Sequence, residues 1–192
     1  GTVVGIGSKV KKFQIGDKVN IEPGVPCGKC RFCLEGKYNI CPDVDFMATQ
    51  PNYKGALTKY LSHPESFTYK LPDNMDTMEG ALVEPAAVGI HAALLAGVTP
   101  GKKIVILGAG CIGLMTLQAC KTMGAAEIVV VDVLKKRLEM AKKLGAMEVI
   151  DSSEADTVTE CKRILGELGA DIVFETAGVQ VASDRTRERS NT

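Results

Sequence analysis

The sequence has no net charge: lysine plus arginine and aspartate plus glutamate each number 23. Without an imbalance there is no long-range pull toward nucleic acid or an anionic membrane. The two signs are also interspersed, with no basic stripe. A long apolar run is missing too. The longest stretches free of Asp, Glu, Lys and Arg, Pro85–Gly101 and Ile104–Cys120, fall short of the roughly 20 residues that a spanning helix needs, and glycines interrupt both. The first reads as a buried helix and turn, the second as a strand, a turn and the start of a helix. No secretory leader is expected, because Gly1 opens directly into a Gly/Val-rich strand pattern with no charged segment before it. Repeats and low-complexity tracts are absent as well. A nucleic-acid binder, a membrane span and a repeat array are therefore disfavoured.

What is present fits a globular chain of one or two domains: 192 residues, 45% apolar and 24% charged. Seven cysteines occur, four of them between Cys27 and Cys41. An odd count with one tight cluster suits metal ligands plus buried thiols better than a disulfide framework. That implies a reducing compartment, the cytoplasm.

Two regions differ in grammar. Up to about Pro72 the chain is punctuated by Gly and Pro, with turn signals at Gly7-Ser8, Gly16-Asp17, Pro23-Gly24 and Pro72-Asp73-Asn74. Strands are predicted at Gly1–Ile6, Asp17–Ile21, Ala56–Ser62 and Phe67–Leu71. From about Met78 the pattern becomes helical and then alternates. A helix starts at Glu84-Pro85 and ends near Gly97. Strands at Lys103–Leu107, Glu127–Val131, Glu148–Ile150 and Asp171–Phe174 alternate with helices at Ile112–Met123, Lys135–Leu144 and Val158–Leu168. Apolar strands between helices predict an α/β fold with a parallel sheet covered on both faces. The predicted domains are residues 1–77 and 78–178, followed by a polar tail, 179–192.

Cys27, Cys30, Cys33 and Cys41 follow the spacing C-x2-C-x2-C-x7-C. Short spacers let a tight loop turn successive thiolates onto one ion, and four thiolates leave no open position, as in a structural zinc site. Lys29, Arg31 and Lys37 lie in the same lobe and can offset its negative charge. An iron–sulfur cluster is the rival reading. It is disfavoured by the x7 gap and by the lack of a second cysteine set.

Gly108-Ala-Gly110-Cys-Ile-Gly113 sits between an apolar strand and a helix. Gly108 permits a tight turn, Gly110 lets backbone approach a pyrophosphate, and Gly113 lets helix and strand pack closely. The helix start adds free N–H groups and a positive dipole end. The following strand ends in Asp132, 24 positions after Gly108, where an acid binds the adenosine ribose hydroxyls. A carboxylate there repels a 2′-phosphate, which favours NAD over NADP. Arg137 is a weaker hint in the opposite direction. The competing reading is a nucleotide-free unit whose glycines serve packing alone.

Gly1-x5-Gly7-x2-Val10 resembles the tail of the zinc dehydrogenase signature G-H-E-x2-G-x5-G-x2-V. The cysteine lobe, the glycine fingerprint and Asp132 follow in the order found in zinc-dependent medium-chain alcohol dehydrogenases. Cys41–Thr49, Lys70–Asn74, Glu79–Pro85 and Val88–Ala92 resemble the sorbitol (polyol) dehydrogenase branch. The resemblance runs from Gly1 to about Val179. It implies a partial GroES-like β domain followed by an incomplete Rossmann sheet, with NAD and zinc as cofactors. The implied activity is oxidation of a secondary alcohol or polyol to a ketone, through a zinc that lowers the alcohol pKa and a hydride transfer to nicotinamide.

In that family the catalytic zinc ligands would lie upstream of Gly1, so this chain is expected to be a piece that is inactive and poorly folded alone, with an exposed apolar edge at its fourth strand. The resemblance places Glu84 beside the catalytic zinc or its water; the plain alternative is a carboxylate stabilising a helix start. It further places Arg137 at the adenosine ribose, Ile112 at a backbone contact to the cofactor, and Phe46 and Met47 in the substrate pocket, where they serve equally well as loop anchors. A homo-oligomer is implied. Threonine or butanediol dehydrogenases of the same family, a non-catalytic NAD-binding relative and a zinc-lobe interaction module are the alternatives. His91 is expected to be a packed histidine, His63 exposed, and Cys111 a small residue filling a turn. Cys120 and Cys161 are expected at core positions, and Lys135, Lys136, Arg137, Lys142 and Lys143 mainly on a solvated helix face.

Overall fold

The structure, a computed structural model, describes residues 1–49 and 55–178, so the polar tail expected from 179 lies outside the described residues. The chain falls into two compact units, one spanning Gly1–Val83 and the other starting at Glu84.

The first unit is irregular. Strand β1 (Val19–Ile21) pairs antiparallel with β4 (Thr68–Lys70), with Asn20 opposite Tyr69. Strand β2 (Gly24–Val25) pairs with β3 (Asp45–Phe46). Pro23 and Pro26 bracket β2, and a proline cannot donate to a ladder, so the strands stay short. The expected strand Gly1–Ile6 reduces to a bridge between Thr2 and Lys18, supported by Val3 N–H donating to Asp17 O at 2.9 Å. The expected strand Ala56–Ser62 does not form. Leu57 and Tyr60 there are exposed, and among the described residues no backbone runs alongside to complete a ladder. Asp17 is buried, with its carboxylate accepting from the Gln14 N–H at 2.9 Å and from Lys70 Nζ at 2.7 Å.

A short one-turn helix, α1 (Arg31–Leu34), lies in the cysteine lobe. Helix α2 (Thr77–Ala81) lies where the sequence pattern turns helical, at about Met78, as a short helix of its own ahead of α3. Asp76 accepts from the Glu79 N–H, and Glu79 reaches back to the Asp76 N–H. This D-x-x-E capping box satisfies two N–H groups that the helix itself cannot.

The second unit opens with α3 (Val83–Leu95), whose first residue still belongs to the preceding unit. It continues as β5 (Lys103–Leu107), α4 (Cys111–Thr122), β6 (Glu127–Asp132), α5 (Lys135–Leu144), β7 (Glu148–Asp151), α6 (Thr157–Leu165) and β8 (Ile172–Glu175). The four strands are parallel in the order β7-β6-β5-β8. That is the first-half order of a doubly wound sheet, in which the chain reverses direction beside the first strand.

Side-chain alternation splits the core. Ile104, Ile106, Ile128 and Val130 pack with Leu117 and Cys120 of α4 on one face. Val105, Leu107, Val129 and Val131 pack with Leu165 of α6 on the other. Both faces are apolar because both are covered. Cys161 packs against the second of these clusters.

Three expectations change. Helix α6 stops at Leu165 because Gly166 adopts φ 91°, which leaves Leu168 fully exposed. Helix α3 is not buried throughout: it buries only Gly89 and Ala93, while Val88, Ile90, Leu94 and Leu95 are exposed. Gly89 faces α4 so closely that a Cβ there would lie 2.7 Å from the Met115 carbonyl carbon. His91 is exposed on the same helix rather than packed. Among the described residues β8 lies at the edge of the sheet, and its Val173 is half exposed. No described helix is long and apolar enough to cross a membrane.

Leu117 is wholly buried. We expect Leu117→Ala to destabilise the protein by about 2–5 kcal/mol, since the rigid sheet beneath it cannot close the cavity; chemical denaturation measures this. The Lys70 ammonium beside Asp17 and the Gln14 N–H hold its carboxyl below the usual carboxylate range. A depressed acid stabilises the fold above its unfolded pKa and loses that contribution as pH falls through the folded value. Asp17→Asn should therefore flatten the stability profile below about pH 4, as read by thermal melts across pH.

Candidate functional site

The lobe is shaped by turns. Gly28 and Gly36 take φ 72° and 78°, and Cys30 is the extended residue that opens α1. This geometry folds the C-x2-C-x2-C run inward. Sulfur separations are 3.4 Å for Cys30–Cys33, 3.8 Å for Cys30–Cys41 and 4.0 Å for Cys27–Cys33, and all four sulfurs lie within 4.8 Å of one another. A tetrahedron with metal–sulfur bonds of about 2.3 Å has edges of about 3.8 Å. The cage thus fits one ion. An iron–sulfur cluster spreads its thiolates over several irons, so the rival reading loses its support. The N–H groups of Lys29 and Cys30 lower the Cys27 thiol to about 7, while burial pushes Cys33 up to about 12. Four thiolates this close need a shared cation.

The three basic residues expected to offset that charge do not all do so. Arg31 and Lys37 both pair with Glu35, at 2.6 and 3.2 Å. The lobe is docked instead by Tyr38. Its ring meets Phe67 edge-on with centroids 6.2 Å apart, and its hydroxyl donates to Glu22, which also accepts from Tyr69.

In the second unit, the turn after β5 has no room for a side chain at two of its three glycines, Gly108 and Gly113. Gly108 has φ 98°, and a Cβ there would lie 2.8 Å from Ala177 N. A Cβ on Gly113 would sit inside the contact radius of the Gly108 oxygen. On Gly110 it would meet open space, which leaves room for a ligand against the backbone. Gly110 caps α4 with no side chain, so the first-turn N–H groups, Ile112 included, keep no intrahelical acceptor.

Asp132 ends β6 and is 8% exposed. Its Oδ1 accepts from the N–H groups of Val133 and Leu134 at 2.8 and 2.9 Å. Its Oδ2 accepts from Ala109 N–H at 2.7 Å and lies 3.7 Å from Arg137 Nη1. A carboxylate has about four acceptor sites, so one remains on Oδ2. Free N–H groups, a dipole end and an adjacent acid are the features that a ribose-linked diphosphate would need.

Residues 1–73 match the alcohol dehydrogenase GroES-like domain family, and residues 111–188 match the zinc-binding dehydrogenase family. The chain belongs to the zinc-type medium-chain alcohol dehydrogenases. An uncharacterized zinc-type alcohol dehydrogenase-like protein of Escherichia coli K12 is 76% identical over 94% of this chain and 52% of its own length. Sorbitol dehydrogenase of Bacillus subtilis is 46% identical over 93% of this chain and 50% of its own. The solved structure of a zinc-binding dehydrogenase from Sinorhizobium meliloti 1021, bound to NADP, superposes with a TM-score of 0.87. It is 30% identical over 95% of this chain and 54% of that one. The chain spans about half the length of the curated relatives it matches.

Of the other expected site residues, Phe46 and Met47 lie in the first unit and Glu84 in the second. Glu84 is exposed in the first turn of α3. Phe46 is 41% exposed on β3 with its ring over Gly24, and the Met47 N–H donates to Pro23 O. Those contacts are what a loop anchor would make. His63, expected to be exposed, is half-buried, and its shielded Nε2 has no hydrogen-bond partner among the described residues. Cys111 is exposed at the start of α4. The basic face of α5 is paired in part, Lys135 with Glu154 and Lys142 with Glu148. Thr176 escaped the sequence reading altogether. Its hydroxyl lies against the carbonyls of Leu107 and Gly108, and no local motif marks it.

Cys33→Ser should lower the zinc content of the full-length protein by one equivalent per chain, measured by atomic emission, and should lower its melting temperature. A three-thiolate cage with an open position holds the ion less tightly.

Proposed function

We propose that this chain carries the structural zinc lobe and the dinucleotide site of an NAD-dependent, zinc-dependent polyol dehydrogenase that oxidises a secondary alcohol to a ketone. The observation that carries the reading is Asp132. A nearly buried carboxylate, held by three backbone N–H groups beside the glycine turn, keeps one acceptor site on Oδ2. A ribose diol donates to such an oxygen, whereas a 2′-phosphate is repelled by it. Zinc in the full-length enzyme would polarise the alcohol oxygen.

This chain's own residues then have distinct tasks. Cys27, Cys30, Cys33 and Cys41 hold a second, structural zinc. The N–H groups at the start of α4 face the pyrophosphate, where the helix dipole favours negative charge. Asp132 selects the ribose, and Arg137 packs beside it. Glu84 takes the place beside the catalytic zinc or its water, and Phe46 and Met47 border the substrate. The likeness to a sorbitol dehydrogenase supports a polyol substrate. Free cysteines support a cytoplasmic location, and a homo-oligomer is inferred from the family.

Calorimetry on the full-length protein should show NAD binding at least tenfold more tightly than NADP. Asp132→Ala should weaken NAD by about 10- to 100-fold, the loss of a hydrogen bond to a charged group, and should close the gap to NADP. A wild-type preference for NADP would overturn the assignment, and the NADP-bound relative makes that comparison informative. Turnover is expected with sorbitol or xylitol, and rates higher on threonine or 2,3-butanediol would relocate the substrate class.

A further inference from the structure

The glycine turn is gripped from both neighbouring strands. Asp132, ending β6, takes the Ala109 N–H. On the other side Thr176, the residue after β8, places its hydroxyl 2.9 Å from Leu107 O and 3.0 Å from Gly108 O. Leu107 O already accepts from the Thr176 N–H at 2.8 Å. Gly108 is buried, and its carbonyl points at the Gly113 Cα, where a Cβ would lie 2.8 Å from Thr176 Oγ1. One hydroxyl proton therefore serves the carbonyl that makes glycine obligatory at 113. Glu175 shapes the backbone after β8 by accepting from the N–H groups of Ala177 and Gly178 at 2.9 and 3.0 Å, and Ala177 N abuts Gly108.

We propose that Thr176 is a positioning residue for cofactor binding: its hydroxyl fixes the Gly108 carbonyl, and through it the orientation of the turn that presents the α4 N-terminus to the pyrophosphate. The inference rests on the dinucleotide reading and deepens it. Thr176 acts through the turn, while Asp132 meets the ribose directly. Losing the hydroxyl strands a buried carbonyl, and the turn relaxes away from the geometry that the diphosphate needs. The adenosine half of the site, built on β6, is not reached by that change.

The test compares Thr176→Val, Thr176→Cys and Thr176→Ser in the full-length protein, with NAD, ADP and adenosine as probes. Thr176→Val should weaken NAD and ADP by about tenfold and leave adenosine within twofold. In turnover it should raise KM for NAD with little change in kcat. Thr176→Cys, which keeps the volume but donates weakly, should show a smaller loss of the same pattern; it supplies the comparison if the valine variant does not fold. Thr176→Ser should restore wild-type binding. Unchanged NAD affinity in both the valine and cysteine variants, or equal losses for adenosine and NAD, would overturn the positioning role while leaving the dinucleotide reading standing. Absence of NAD and ADP binding in the wild type would remove both.

Discussion

Among the described glycines, the tightest approach is that of helix α4 to the end of β5. The Gly108 carbonyl lies against the Gly113 Cα, and the Gly108 Cα lies against the backbone of Ala177. No side chain fits in either place, so the helix can start directly over the sheet with its N–H groups facing out. The polar demands created there are met by side chains from the two flanking strands, Asp132 and Thr176. The turn is thereby fixed by packing, so a ligand bound there would meet a lower ordering cost.

The two units rely on different sources of cohesion. In the second, buried aliphatic residues on both sheet faces supply a core of ordinary size. In the first, the buried apolar residues are few, Val19, Cys41 and Leu71 among them. Small units with little core commonly depend on a metal or another clamp. The four-sulfur cage fits that need, and Tyr38 ties it to Glu22 and Phe67.

Membership of the zinc-type alcohol dehydrogenases and the choice of substrate rest on different residues. Cysteines and glycines are held to their positions by metal geometry and backbone sterics, so they mark the family with little freedom. Side chains that meet a substrate have no such constraint. Phe46 and Met47 illustrate this, since each makes a contact that a simple loop anchor would also make.

Sequence alone determined the parallel α/β unit with its element order, the four-cysteine lobe and the glycine turn with its acid. Helix Lys135–Leu144 matches its predicted bounds, because helix and buried-strand periodicities are local properties of the chain. The capping box at Asp76 was equally local and could have been read. Tertiary structure decided the rest. The expected strand at Ala56–Ser62 failed because a strand needs a partner backbone, and α3 buried only its small residues because burial depends on what lies opposite. Thr176 meets carbonyls 68 and 69 positions away. Contacts between distant segments leave no period in the sequence, so only the folded chain reveals them.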